Sequence, residues 1–194
     1  MAGFEGDYSK LFDRLDDSCV YHAKGSKFII EETNEEGKAK IQLSSKYDCF
    51  HVQLDRKVFP ILRNQKCADY IVLLYDSEKN DWFLHIFEFT RTVGTNKWKE
   101  KIIPQFEGAL INAYAICVVM NIPKLADVTV HCAYRNNSDM ASPASMKTAL
   151  GRPVQRPWTL GSVVDLLSFK KVEAKKDLIQ LEVATGDGPE IELS

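Results

Sequence analysis

The stretch that decides the fold is DYIVLLYDSEKNDWFLHIFEFT, residues 69–90. Two apolar runs flank a polar segment at residues 76–81, where Asp, Ser and Asn favour a turn. This pattern predicts an antiparallel β-hairpin. Asp69 opens its first strand and Glu88 lies near the end of its second. Because an unpaired carboxylate is costly to bury in so apolar a hairpin, the two acids are expected to share a partner, for which a divalent cation is one candidate.

Upstream of this hairpin the pattern predicts three more strands and a short helix. Residues 27–31 and 39–43 form a second hairpin around a turn that contains Asn and Gly. Residues 50–54 alternate between apolar and polar side chains, which predicts another strand. Residues 8–15 carry apolar side chains at helical spacing behind Asp7, a suitable N-cap. The first half of the chain is therefore expected to be rich in strands.

Downstream of the hairpin the apolar period lengthens, which predicts a long helix over residues 102–120. Pro104 is tolerated in a first helical turn, and Pro123 marks the end. Residues 128–134 follow as an apolar strand, so the strand, helix and strand form a crossover with a parallel pair. The predicted fold class is therefore α/β, a mixed β-sheet flanked by helices.

The last third of the chain shows weaker periodicity. Residues 135–157, rich in Asn, Ser, Pro and Gly, predict a long loop. A short helix is expected at 159–169, a last strand at 177–183 and a frayed acidic tail at 187–194. The whole chain, at 194 residues, suits a single domain with a core at about 8–134, the loop at 135–157 and a C-terminal decoration at 158–194.

Composition narrows the cellular setting without naming a function. The five cysteines include no CxxC pair and are expected to be buried thiols in a reducing compartment. No signal sequence or apolar run of about 20 residues is visible, so a cytoplasmic protein without a membrane span is expected. With a net charge of −2, a nucleic-acid partner would need a local basic patch.

The order of elements, with Asp69 on one strand and Glu88-Phe89-Thr90 on its neighbour, resembles the PD-(D/E)XK nuclease superfamily. Its restriction-endonuclease-like core carries Asp, a spacer and then Glu-x-Lys, and the resemblance covers residues 50–134. It implies a Mg²⁺ or Mn²⁺ site held by Asp69, Glu88 and the backbone carbonyl of Phe89. It also implies a metal-dependent endonuclease that hydrolyses phosphodiesters in nucleic acid.

One position departs from that family pattern. Thr90 stands where the family has lysine, and a hydroxyl cannot supply the positive charge that steadies the transition state. The family is known to move this lysine, and Gln105 is expected to face the site, as glutamines do in related nucleases. The candidate substitutes for the missing lysine are Lys97, Lys99 and Lys101.

The predicted loop carries four basic residues against one acid. It is open to two interpretations, a basic flap over a nucleic-acid backbone with an aromatic ring for stacking, or a plain connection. The residues expected to contact nucleic acid are Arg135, Lys147, Arg152, Arg156 and Trp158.

Two alternatives to an active nuclease stay open. In the first, Thr90 marks lost chemistry, and the same fold serves as a protein-interaction or assembly module, with a homo-oligomer among its forms. In the second, Asp69 and Glu88 never meet and the chain is an unrelated α/β protein. His51 and His85 are expected to be hydrogen-bonded strand residues and not metal ligands.

Overall fold

The computed structural model describes residues 19–33, 38–54, 66–137, 162–167 and 172–194, with the backbone alone at 137, 162–167 and 172. These residues form a mixed α/β arrangement of ten strands and one helix. The strands are β1 (Cys19–His22), β2 (Lys27–Glu32), β3 (Ala39–Ser45), β4 (Asp48–Gln53), β5 (Tyr70–Asp76), β6 (Asp81–Val93), β7 (Asp127–Asn137), β8 (Ser162–Leu167), β9 (Val172–Gln180) and β10 (Asp187–Leu193). The helix is α1 (Thr95–Val119).

The strands make two mixed sheets. One has seven strands in the order β1-β4-β5-β6-β7-β9-β8, and the other has three in the order β10-β3-β2. The predicted hairpins are confirmed, since β5 pairs antiparallel with β6 and β2 pairs antiparallel with β3. The predicted crossover is also confirmed, because β6 and β7 are parallel neighbours on either side of α1 in the chain.

The seven-stranded sheet is covered differently on its two faces. On one face, here called the helix face, α1 packs Phe106 and Leu110 into the core that contains Leu84 and Ile86. On the other, here called the sheet face, the three-stranded sheet packs over Val72, Leu74 and Phe87. The side chains it contributes to that core include Phe28, Ile30, Ile41, Leu43 and Leu193. Alternation along each strand sends neighbouring side chains into the two different cores.

Helix α1 begins with irregular turns before its regular α-helical part. A turn at Thr95–Lys97 and a π-helical stretch at Trp98–Ile102 precede the regular α-helix Ile103–Val119. Pro104 has no N–H to give to the Glu100 carbonyl four residues before it, and Lys66 Nζ donates to that carbonyl at 3.2 Å. The predicted long helix is confirmed, but the lysine cluster lies inside its first turns and not ahead of it.

Two predictions for the C-terminal segment are wrong. The helix expected at 159–169 is a strand over its described part, β8, because Val163 and Val164 are β-branched and the segment pairs with β9. The tail expected to fray is β10, which pairs in parallel with β3 and buries Leu193. The predicted last strand begins earlier than expected, as β9.

Other differences concern boundaries. Strand β1 was not expected from the sequence, and β7 runs on to Asn137, so Arg135 is a strand residue and not part of a loop. The helix predicted at residues 8–15 lies outside the described residues. In the described part of the chain one helix, α1, is long and apolar enough by composition to cross a membrane, with a mean hydropathy of 1.5. Because α1 also packs on the sheet, it matches the core helices of soluble proteins equally well.

Candidate functional site

Asp69 is fixed by the hairpin that it opens. Its backbone N–H donates to the Phe87 carbonyl at 3.0 Å, and its own carbonyl accepts from the Leu54 N–H at 2.8 Å. Its carboxylate Oδ2 accepts from the Phe89 N–H at 2.7 Å. These three bonds tie Asp69 to the strands on both sides, so its side chain is held at the end of the hairpin beside Glu88.

The segment before β5, which ends with Asp69, passes very close to helix α1. The Ala68 N–H donates to the Gln105 carbonyl at 3.0 Å. Gly108 has no side chain, and a Cβ there would collide with the Lys66 carbonyl oxygen. Only glycine at this helix position lets the segment cross so closely.

Glu88 is buried on the helix face with 1% of its surface exposed. The Asp69 charge raises the pKa of Glu88, so the two carboxyl groups lie within electrostatic reach of each other. Gln105, whose Nε2 donates to the Cys67 carbonyl at 3.4 Å, lies near enough to oppose this rise. Glu88 Oε2 has no hydrogen-bond partner among the described residues, and neither does Gln105 Oε1. The two acids predicted from the sequence therefore lie within electrostatic reach of each other, and one buried oxygen of Glu88 has no hydrogen-bond partner among the described residues.

The surroundings favour protonation of this pair. Burial, assisted by the nearby Glu32 charge, raises the pKa of Asp69 to about 6, although the Phe89 N–H and Lys101 oppose the shift. Burial and the Asp69 charge raise the pKa of Glu88 well above its usual range. Both shifts favour the protonated form of each acid, whereas a bound cation would favour the carboxylates.

The three candidate lysines divide into two groups. The Lys101 charge lowers the pKa of both Asp69 and Glu88, so it lies within electrostatic reach of the pair. Lys97 is one turn earlier on the same side of α1; burial and repulsion by Lys101 lower its pKa, and Glu88 opposes the shift. Lys99 is exposed and lies two residues from both Lys97 and Lys101. At that spacing its side chain is on a different side of the helix, away from the acid pair.

Thr90 and Phe89 form hydrogen bonds within β6 and with Asp69. Thr90 is 7% exposed, and strand alternation puts it on the face of Glu88. Its hydroxyl donates to the Thr92 carbonyl at 3.2 Å, so its proton is used within β6. The Phe89 N–H is the group that meets Asp69, while the ligand role of its carbonyl stays a prediction.

A third acid near the pair was missed by the sequence reasoning. Glu32, at the end of β2, raises the pKa of Asp69 and Glu88 by its charge. The Tyr70 hydroxyl, next to Asp69 in the chain, donates to the Glu31 carbonyl at 2.9 Å and thereby anchors the end of β2. No local signal marks Glu32, because its position depends on how one sheet packs on the other.

The site can supply two carboxylates to a cation. Within the described ranges no group of three or more His, Cys, Asp or Glu side chains is arranged to hold a metal ion. Mg²⁺ usually takes one or two carboxylates and completes its shell with water and phosphate oxygens. Asp69 and Glu88 fit that requirement, and the unsatisfied Oε2 is the atom a cation would satisfy.

The predicted nucleic-acid contacts are only partly within the described residues. Arg135 lies half-buried near the end of β7, with its guanidinium against Gly186 in the turn before β10. Gly186 has φ of 80°, a left-handed conformation that suits glycine. The other four predicted contacts lie outside the described residues: Lys147, Arg152, Arg156 and Trp158.

Comparison with known proteins adds no relative. No family model, no curated protein and no solved structure matches the chain.

Proposed function

We propose that the chain is a PD-(D/E)XK-like domain with a restriction-endonuclease-like core. It uses Mg²⁺ or Mn²⁺ held by Asp69 and Glu88 to hydrolyse phosphodiesters in nucleic acid. The observation that carries this proposal is the buried Glu88 oxygen without a hydrogen-bond partner among the described residues, within electrostatic reach of the Asp69 carboxyl. A buried oxygen without a partner costs about 1–3 kcal/mol, and polar groups kept at such a cost are typical of functional sites.

Each neighbouring residue has a role in this proposal. When bound, the metal would supply a water of lowered pKa and neutralise charge on the phosphate oxygens. Gln105, whose Nε2 donates to the Cys67 carbonyl at 3.4 Å, lies near the Glu88 carboxyl and opposes the rise of its pKa, and the Phe89 N–H orients Asp69. Lys97 and Lys101 supply the positive charge that Thr90 lacks, and they attract the phosphate backbone.

The proposed partner is nucleic acid, and the proposed location is the cytoplasm. Because the net charge is −2, binding to nucleic acid rests on the local lysines of α1 and, by proposal, on the basic segment that includes Arg135. All five cysteines are free thiols, and those with a shifted pKa are made less reactive by burial, as in Cys49 and Cys67, whose pKa rises to about 12. Free thiols of this kind fit a cytoplasmic location.

The test measures metal binding and cleavage separately. Isothermal titration with Mn²⁺ and Mg²⁺ is compared for the wild type, Asp69→Asn and Glu88→Gln, which keep the shape of each side chain. Both variants are expected to lose binding, and cleavage of single- and double-stranded DNA and RNA is lost with it. The matched control is Glu190→Gln, an exposed acid that pairs with Lys27 on the three-stranded sheet. Cleavage that survives both site variants would show that the site is misassigned.

A second candidate function is an inactive version of the fold that acts as an interaction or assembly module. It is favoured by Thr90, whose hydroxyl proton is already used within β6. Such a module binds no metal at the acid pair and cleaves no substrate. Thr90→Lys separates the two proposals further, because a restored ammonium raises cleavage only where a metal already binds.

A further inference from the structure

All four histidines of the chain are used in two imidazole pairs. His22 Nε2 lies 2.7 Å from His51 Nδ1, on the neighbouring strands β1 and β4. His85 Nδ1 lies 2.9 Å from His131 Nε2, on the neighbouring strands β6 and β7. The expectation that His51 and His85 are hydrogen-bonded strand residues is confirmed, but each bonds to another histidine.

Both pairs lie on the sheet face, where the three-stranded sheet covers the larger one. The His22 ring stacks on Phe28 of β2 with centroids 4.0 Å apart. The His131 ring stacks on Phe87 with centroids 4.3 Å apart. Because Phe28 and Phe87 belong to the core between the two sheets, each pair borders the contact that joins them.

The chemistry of an imidazole pair limits how many protons it can hold. One ring donates an N–H and the other accepts with a lone pair, so a pair tolerates one added proton but not two. With both rings protonated, two N–H groups would face each other at hydrogen-bond distance. Full protonation therefore breaks the pair and pushes its two rings apart.

The charged groups around the pairs do not offset this effect. Asp177 Oδ2 lies 3.4 Å from His131 Nδ1, and Asp127 also attracts a proton to His85, while Lys175 opposes them. Burial outweighs these charges and lowers the pKa of His85 to about 3. The three-stranded sheet adds apolar side chains at this core, among them Phe28, Ile30 and Ile41.

The second pair is less enclosed. Burial, with repulsion from His22, lowers the pKa of His51 to about 4, and burial lowers the pKa of His22. Among the described residues, the rings that pack against this pair are those of Phe28 and of Tyr70, whose ring centroid lies 6.1 Å from that of His51. Neither carries a charge at neutral pH.

We propose that the contact between the two sheets is an acid-sensitive seam. Protonation of both members of the His22–His51 and His85–His131 pairs releases the three-stranded sheet from the seven-stranded one. A freed histidine binds protons more tightly than a paired one, so acid favours the open form. At about pH 5 each histidine that is freed favours opening by about 30-fold relative to neutral pH.

Hydrogen–deuterium exchange at about pH 7 and about pH 5 tests the seam, after correction for the intrinsic exchange rate. Exchange in β2, β3 and β10 is expected to rise by at least about 30-fold at the lower pH, the factor for one freed histidine. Strands β5 and β6 are expected to keep their protection. No rise in the three strands, or an equal rise in every strand, overturns the proposal.

Variants of the histidines test whether these residues cause the acid response of the exchange rates. His22→Gln/His51→Gln replaces the less enclosed pair with side chains that do not titrate, and it is expected to shrink the acid response at least about 10-fold. Lys27→Gln, on the same small sheet, breaks an exposed ion pair with Glu190 and serves as the control. A full acid response in the double variant overturns the role of that pair. If this variant does not fold, the histidine ring shifts of the wild type, followed by NMR across the same pH range, must move together with the exchange of β2.

Discussion

The helix face and the sheet face of the large sheet treat buried polar groups differently. On the helix face, Glu88 Oε2 and Gln105 Oε1 are buried without a hydrogen-bond partner among the described residues. On the sheet face, the histidines bond to each other, and His131 Nδ1, which is also buried without a hydrogen bond to a described residue, lies 3.4 Å from Asp177 Oδ2 and can form an ion pair with it. Unsatisfied groups favour a ligand, whereas satisfied pairs favour a structural or proton-sensing role.

The largest difference between the faces is expected from glycine substitutions. Gly108→Ala drives a Cβ into the Lys66 backbone carbonyl, displaces the segment that carries Asp69 and lowers the free energy of unfolding by about 3 kcal/mol. Gly188→Ala, beside the other core, meets Ile41 Cγ1 at 2.8 Å, Leu181 Cδ2 at 2.9 Å and the Lys40 carbonyl at 3.1 Å, and this weaker collision is expected to cost less. Urea denaturation measures both. An equal loss in the two variants would show that the helix crossing is not specially tight.

The next effect is the pH dependence of stability. It is expected to have opposite signs for the buried acids of the helix face and the buried histidines of the sheet face. A raised pKa in Asp69 means that the folded protein gains stability as pH falls through about 6. A lowered pKa in His85 and His131 means that stability is lost below about pH 6.5, by about 2 kcal/mol for each at about pH 5. Asp69→Asn/Glu88→Gln is therefore expected to lose more stability on acidification than the wild type. Identical pH profiles in chemical denaturation would contradict this opposition.

A smaller effect isolates the buried charge. At pH values above the raised pKa of Glu88, Glu88→Gln is expected to raise the free energy of unfolding by about 1–2 kcal/mol, because it removes a buried carboxylate. The gain shrinks as pH falls, since the wild-type Glu88, whose pKa is raised, takes up a proton itself. Glu190→Gln, about half exposed, is the control and changes stability by less than about 0.5 kcal/mol. A destabilised Glu88→Gln would indicate that the carboxylate is structural.

The smallest effect separates the lysines. Lys101→Met and Lys97→Met are each expected to reduce the salt dependence of nucleic-acid binding by about one unit of the logarithmic slope. Lys99→Met, turned away from the acid pair, is the matched control and leaves the slope nearly unchanged. Fluorescence anisotropy over a range of salt concentrations measures all three. A larger effect for Lys99 would place the nucleic acid on the other side of α1.

The sequence predicts the parts of this molecule that depend on local pattern. The hairpin that joins Asp69 to Glu88 and the long helix are visible because their apolar periods are strong and continuous. The proximity of the two acids follows from the same hairpin. The element at residues 162–167 was misjudged because pairing with β9, and not helical spacing, decides its conformation.

What the sequence could not predict depends on contacts between distant segments. Nothing near Glu32 indicates that β2 ends beside Asp69, because that depends on the Tyr70 hydroxyl and on the packing of two sheets. The histidines are equally uninformative one at a time: His85 and His131 become a pair only through the parallel register of β6 and β7.

The parallel pairing of β3 with β10 has a consequence for the order of folding. Leu43 lies opposite Ile191, so this pairing joins segments that are far apart in the chain, whereas β5 and β6 are joined by a short turn between Asp76 and Asp81. Closing a long loop costs more entropy than closing a short one, and such contacts form late. We expect the β5–β6 hairpin to belong to the folding nucleus and β10 to dock last. A cavity at Leu193 should then speed unfolding while leaving the folding rate almost unchanged.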